Sequence, residues 1–393
     1  MNRIAIIGSG TAGIMSLAHC LAFFPKDWEV VSIYDPNIPM LGIGESTSIQ
    51  IPLTLFYATD LNFLDYGKEL DLTIKHGVKY VNWREKDFFT KIPPPHYAIH
   101  FNNFSLKDFA FKRFQEKWPH RFSFIEGKID KIENLLEYAS ITVLNEQYKF
   151  DYIIDCRGFP KNSDDHIVVD TIPVNHCLVH TIKEPGTGNY TYHQAHRNGW
   201  MFGIPLQSRQ GWGYLYNDTI TTKEEAIEDL SNIFNTQLKD TDLREFTFKN
   251  YKAKKFLDGR ILKNGNMSLF YEPLEALSGW FYDTVLRTFF DVVITGNFTE
   301  EHANQYLHTM ANEYELFICY MYHGGSVFKS KFWDITTEKC KNIIDRSERF
   351  QKHIAVMKQA DTALDTNTAL VFPMGVWREL DKNMQYHYFT QTT

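Results

Sequence analysis

Apolar residues change period several times along the chain, and each change predicts an element. Residues 3–7 (Arg-Ile-Ala-Ile-Ile) are a short, nearly unbroken apolar run, the pattern of a strand buried on both faces. Six residues rich in glycine follow, and residues 14–24 then form an apolar stretch of helical length. Trp28–Tyr34 predicts a second strand, closed by Asp35. Further strand-like pieces lie at 79–83 and 97–101, and 122–132 with 141–144 reads as a small antiparallel excursion. Residues 150–155 are another apolar strand, running into Asp155-Cys156-Arg157-Gly158-Phe159. The region 168–256 is dense in short β-like runs (177–182, 200–205, 213–216), which predicts an inserted antiparallel sheet. From about residue 299 the period lengthens, and 300–322 and 336–353 predict a C-terminal helical layer.

Strand, glycine turn, helix, strand and acid, in that order, make a dinucleotide-binding unit. Gly8 permits the tight turn. Gly10 lets backbone approach a pyrophosphate, Thr11 and Ala12 belong to the same cofactor-binding turn, and Gly13 lets the following helix lie close to the sheet. Helix N-terminal amides then face the phosphates. Asp35 stands 22 residues after Gly13, where a carboxylate accepts from a ribose hydroxyl. The late strand ending at Asp155 and Gly158 resembles FAD enzymes of the glutathione-reductase type. The expected fold class is therefore α/β: a glutathione-reductase-type FAD-binding fold with an inserted antiparallel sheet and a C-terminal helical layer.

Composition narrows the function classes. The 393 residues carry 41 Lys plus Arg against 48 Asp plus Glu, a net charge of −7, which argues against broad nucleic-acid binding. Aromatics reach 15%, so either a heavily aromatic core or pockets lined with flat rings is expected. The five cysteines (Cys20, Cys156, Cys177, Cys319, Cys340) have no metal-ligand spacing and are odd in number, as in a chain with reduced thiols. No apolar run approaches the ~18 residues of a membrane span. A cytoplasmic location, no membrane, no nucleic acid and no metal are expected.

Several motifs together carry a resemblance. Leu41-Gly42-Ile43-Gly44-Glu45-Ser46-Thr47, the strand 77–83 with Lys79 and Asn82-Trp83, Gly199-Trp200-Met201-Phe202-Gly203-Ile204-Pro205, Glu272-Pro273-Leu274-Glu275 and the late flavin strand all occur in register. So, less specifically, does the segment from His323-Gly324-Gly325 to Phe332-Trp333. The chain resembles a short, divergent flavin-dependent halogenase of the tryptophan-halogenase family. The resemblance implies FAD, reduced during turnover, and a halide ion (chloride, bromide or iodide) as co-substrate. Dioxygen and halide yield a hypohalous acid, which passes through a tunnel to an electron-rich aromatic. It further implies a separate flavin reductase, since only one dinucleotide fingerprint is present. Oligomeric state is left open, a homo-oligomer included.

The same resemblance assigns the site. Lys79 and Glu275 are the catalytic candidates. Gly44, Glu45, Ser46, Thr47 and Gly279 join the fingerprint residues around the cofactor. The amides of Leu277 and Ser278 are the halide donors, at the entrance of a helix expected from about residue 280, and Ala276 and Leu277 stand where the family often has Ser and Thr. Trp200, Phe202 and Pro205 shield the flavin from organic substrate, with Phe202 in place of a second Trp. Read from chemistry, a partly desolvated amine suits activation of an oxidant. Lys79 is expected to share a strand face with Lys75, Gly77, Val81 and Trp83, and Lys75 is set aside as a decoy. His76, His100 and His323 read as structural. Trp83 and His100 are only 17 positions apart, where typical members carry a long insertion, so a more open pocket is expected and free tryptophan as substrate is in doubt. The competing readings are a flavin monooxygenase that inserts oxygen directly, and a non-catalytic FAD-fold protein. The segments are drawn as 1–90 (first FAD-binding segment with the lysine strand), 91–165 (β excursion and late FAD strand), 166–258 (inserted substrate-side sheet), 259–298 (flavin and halide loop with its helix) and 299–393 (helical region).

Overall fold

The first strand, Asn2–Ile7, is buried from Ile4 onward because parallel neighbours flank it on both sides. Trp28–Tyr34 pairs on one side and Tyr152–Asp155 on the other, as the apolar runs require. The computed structural model describes residues 2–359 and 374–389. Positions 360–373 and 390–393 of the expected helical region lie outside the described residues. The chain divides into two compact units, each assembled from three stretches: Met1–Ile74, His96–Val168 and Tyr251–Thr309 form the first, and Lys75–Pro95, Val169–Asn250 and Met310–Thr393 the second.

In the first unit, five parallel strands run in the order Ile261–Lys263, Tyr152–Asp155, Asn2–Ile7, Trp28–Tyr34, Phe122–Glu126, with Leu257–Asp258 added antiparallel at one edge. Phe122–Glu126 was expected in the antiparallel excursion, but Gly127 (φ +158°) turns the chain after it, and it closes the parallel sheet instead. The excursion proper is the meander Ile129–Asn134, Ala139–Val143, Glu146–Phe150. Its Ala139, Ile141 and Val143 pack on Ala5, Ile7, Val31 and Ile33.

In the second unit, seven strands form one sheet in the order Arg244–Thr247, His176–Ile182, Gln210–Tyr216, Gly199–Pro205, Thr191–His196, Gly77–Val81, Phe88–Lys91. All pairs are antiparallel except Thr191–His196 with Gly77–Val81. The expected inserted sheet is thus present, and the lysine strand belongs to it. One face packs Leu178, Met201 and Tyr214 against Ala226 and Leu230 of the helix Lys223–Phe234. The helical pattern expected over 336–353 resolves into Lys331–Arg346 and Glu348–Gln359, broken at Ser347, which is extended.

Candidate active site

The glycine fingerprint folds as its residue types require. Gly8 has φ +100°, and a Cβ there would lie 2.8 Å from the carbonyl oxygen of Cys156. A Cβ on Gly13 would lie 1.9 Å from the carbonyl oxygen of Gly8, so helix Thr11–Phe23 approaches the turn as only glycine allows. Nothing stands within 4 Å of a Cβ built on Gly10, and the helix starts there without a side-chain cap. Open space in front of uncapped helix amides fits a pyrophosphate. Thr11 donates to Asn103 Oδ1 (2.8 Å), which fixes the start of the turn. Asp35 follows the second strand directly, its Oδ1 accepting from the backbone and side chain of Asn37.

The loop through Gly44, Glu45, Ser46 and Thr47 is laid along strand Ala98–His100. Thr47 exchanges hydrogen bonds with Ile99, Ser46 bridges to His100, and buried Glu45 accepts from the Asn103 amide (3.3 Å). His100 is buried with Nδ1 2.9 Å from the Thr73 hydroxyl, a structural arrangement. Asp155 is buried, and its carboxylate is gripped by the Arg157 amide and guanidinium at 2.8–3.1 Å, while Gly158 (φ +34°) completes that turn.

The Glu-Pro-Leu-Glu segment ends in a strained entrance. Glu275 (φ 58°, ψ 12°) and Ala276 (φ 55°, ψ 34°) are both left-handed, although neither is glycine, and Leu277 returns to the right-handed region. The helix runs over Leu277–Phe290, three residues earlier than expected, so Leu277, Ser278 and Gly279 form its first turn. No side chain caps it. A left-handed residue followed by a right-handed one turns successive amides inward, a nest for an anion. A Cβ on Gly279 would stand 3.3 Å from Ile51 Cδ1, which keeps this turn close to helix Gln50–Thr59.

The two lysines of the second unit differ sharply. Across the sheet, Lys79 is in register with Tyr192, which is in register with Gly203. The next row, Tyr80, His193 and Phe202, points to the other face, as does Trp200. Lys79 therefore leaves the sheet on the face opposite Trp200 and Phe202. Its side chain is 36% exposed, and Nζ lies 3.9 Å from the Asp87 carboxylate. Lys75, by contrast, is 4% exposed. Burial, together with the neighbouring charge of Lys75, holds His193 well below the usual histidine range. The His193 ring packs on Trp200 at 5.0 Å. The expected common face of Lys75, Gly77, Lys79, Val81 and Trp83 does not form, because the alternation breaks at both strand ends. Gly77 has φ +155°, and a Cβ there would strike the Thr90 carbonyl, while Asn82 is left-handed (φ 62°). Trp83 consequently joins Trp200 (6.1 Å), Tyr322 (6.0 Å) and Trp333 (5.5 Å).

Trp200 is fully buried and donates from Nε1 to the Tyr322 hydroxyl (2.6 Å). Phe202 lies over Gly213, whose Cβ would meet its ring at 2.3 Å, and Pro205 ends the strand against Gly186. His323 is buried against Tyr386, and exposed His76 donates its backbone amide to Asn189. Among the described residues no group of His, Cys, Asp or Glu is arranged to hold a metal ion, and no helix is long and apolar enough to cross a membrane.

The tryptophan halogenase family profile matches residues 3–135 and 96–379. The chain belongs to that family. As a tryptophan-halogenase family member it is a flavin-dependent enzyme, an FAD-dependent halogenase by class. It is 20% identical to the tryptophan 7-halogenase of Lentzea aerocolonigenes, over 86% of this chain and 79% of that one, and 21% identical to the tryptophan 6-halogenase of Streptomyces albogriseolus, over 91% and 83%. In fold it is similar to a flavin-dependent halogenase from Xanthomonas campestris (TM-score 0.81, 16% identity, 98% of this chain and 89% of that one). It is also similar to a tryptophan 6-halogenase from Streptomyces toxytricini (TM-score 0.78, 17% identity, 91% and 85%). The resemblance and the expected α/β fold class both hold. Burial is the property that separates Lys75 from Lys79.

Proposed function

We propose that this chain is the halogenating half of a two-component cytoplasmic system, taking reduced FAD from a separate flavin reductase and transferring chloride, bromide or iodide to a small electron-rich aromatic. The observation that carries this reading is the start of helix Leu277–Phe290. Two left-handed residues followed by a right-handed one, directly after Glu-Pro-Leu-Glu, present uncapped amides to an anion. A halide needs such a cradle, because it must shed water before it is oxidised.

Reduced FAD, when bound, would supply two electrons and the halide two more, so that dioxygen is reduced to water and a hypohalous acid. Gly8, Gly10, Thr11, Ala12, Gly13 and Asp35 would hold its dinucleotide part. Gly44, Glu45, Ser46, Thr47, Asp155, Gly158 and Gly279 shape the surrounding loops. The amides of Leu277 and Ser278 hold the halide. Trp200, Phe202 and Pro205 keep organic molecules from the reducing centre. A buried ammonium that donates a hydrogen bond to the oxidant's oxygen draws electron density from the halogen and makes it more electrophilic. Lys75 takes that role in place of Lys79. Its support is burial and the effect of its charge on His193, whose ring packs on Trp200. Glu275 accepts the proton that the ring loses on substitution.

The test supplies reduced FAD from any reductase, with bromide and a panel of indoles, phenols and pyrroles. The expected product carries the bromine isotope doublet by mass spectrometry and is absent without bromide. Oxygenated product formed equally well without halide would overturn the proposal.

A further inference from the structure

After Glu275 come Ala276, Leu277 and Ser278, so Ser278 supplies the first side-chain hydroxyl of the helix entrance. Tyr282 follows one turn along the same helix, so its ring and the Ser278 side chain lie on one helix face. The Tyr282 hydroxyl donates to Asn266 Oδ1 at 2.9 Å. Asn266 is the middle residue of the short turn Gly265–Met267. Tyr251 grips that turn from another side, donating to the Asn266 carbonyl oxygen at 2.6 Å. The turn also presses on the dinucleotide fingerprint. Gly265 has φ +61°, and a Cβ there would lie 2.5 Å from the Ala12 Cβ. Asn264, just before it, donates to Ser16 Oγ on the fingerprint helix at 3.1 Å. All these residues belong to the first unit. A line of direct contacts thus runs from this helix to the fingerprint turn.

We propose that Tyr282 is a positioning residue for halide: by tying the start of the helix to the Gly265–Met267 turn, it sets where the amides of Leu277 and Ser278 stand relative to the dinucleotide fingerprint. This rests on reading that entrance as the halide cradle. Tyr282 acts through the helix that carries those amides. Burial raises its phenol well above the usual tyrosine range, so it remains a hydrogen-bond donor at any working pH.

Tyr282→Phe keeps the ring and removes only the hydroxyl, so folding is preserved. Bromide dependence is measured at constant ionic strength. The apparent KM for bromide should rise about tenfold, as expected when hydrogen bonds that fix a binding group are lost, with kcat at saturating bromide within about twofold of wild type. Flavin-free protein gives a readout independent of turnover: the bromide-linked rise in melting temperature should need about tenfold more bromide. Asn266→Ala, which removes the acceptor of the Tyr282 hydroxyl, should shift both readouts the same way, and the double variant should go no further than Tyr282→Phe. Unchanged bromide dependence with only a lower melting temperature would make Tyr282 a packing residue and overturn the proposal. So would a fall in kcat with KM unchanged. If wild type is stabilised by bromide but never brominates, the halogenase reading fails while this proposal stands. If wild type shows no bromide-linked stabilisation, the cradle and the role of Tyr282 fail together.

Discussion

Ala276→Gly separates backbone strain from anion binding at the helix entrance. Ala276 sits at φ 55°, ψ 34°, where an L-residue pays roughly 1–2 kcal/mol relative to the right-handed region. Glycine removes that cost but loses about 0.4–1 kcal/mol through the greater freedom of the unfolded chain. The net is a stabilisation of about 0.5–1 kcal/mol, which in a protein of this length moves the melting temperature up by only roughly 1 °C. Ala276→Val puts a β-branched side chain in the same conformation and should move it down, so sign decides. Halide binding should respond in the opposite sense. Glycine lets the amides of Leu277 and Ser278 leave the nest, and lost preorganisation should weaken bromide-linked stabilisation about threefold to tenfold. The assay is thermal unfolding of flavin-free protein across a bromide series, with gluconate holding ionic strength constant. A glycine variant that is less stable than wild type, or that binds bromide equally well, would refute the reasoning.

Two further outcomes follow from buried groups. His19 lies among Phe23, Phe24 and Phe290 with no hydrogen-bond partner on either nitrogen, and burial, with Arg287 adding to it, pushes it down to about 3. Its folded pKa is below the unfolded value, so below about pH 6.5 the unfolded chain binds the extra proton and stability falls with pH. At pH 5 that is about 2 kcal/mol from His19; His19→Leu should therefore stabilise the protein more at pH 5 than at pH 8, and denaturant melts showing equal gains would contradict this. Gly13→Ala places a Cβ 1.9 Å from the Gly8 carbonyl oxygen, so the turn must open by about 1 Å, and FAD affinity measured by flavin fluorescence should fall about a hundredfold; affinity within threefold of wild type would contradict the fingerprint's role.

What the sequence made legible was local. The first strand, the glycine turn, its helix and the second strand follow from residues 3–35, because Gly13 answers a contact five residues away, Gly8 one just past the adjoining strand, and Gly10 keeps the space before the helix open. The late strand was legible because its apolar run ends in a turn-forming Asp and Gly. The face of a lysine was not. It depends on Gly77 and Asn82 leaving the strand's alternation, and on Lys79 pairing with Tyr192 more than a hundred residues later. Neither is a property of composition or period. The helix entrance shows the same limit. Glu-Pro-Leu-Glu marked the place, but that Glu275 and Ala276 would both be left-handed is set by the packing around them, not by their own preferences. Segments drawn consecutively along the chain also differ in kind from two units that each gather three separated stretches.

Product formation by Lys75→Met and Lys79→Met, assayed side by side with reductase-supplied reduced FAD and bromide, tests the central claim most directly. Lys75→Met should lose brominated aromatic product by about a hundredfold or more, the loss expected when a group acting on the reacting atoms is removed, while bromide oxidation trapped by a small β-diketone continues. Lys79→Met, changing a partly exposed amine on the opposite sheet face, should stay within about twofold of wild type. Normal bromination by Lys75→Met with loss in Lys79→Met would contradict the account.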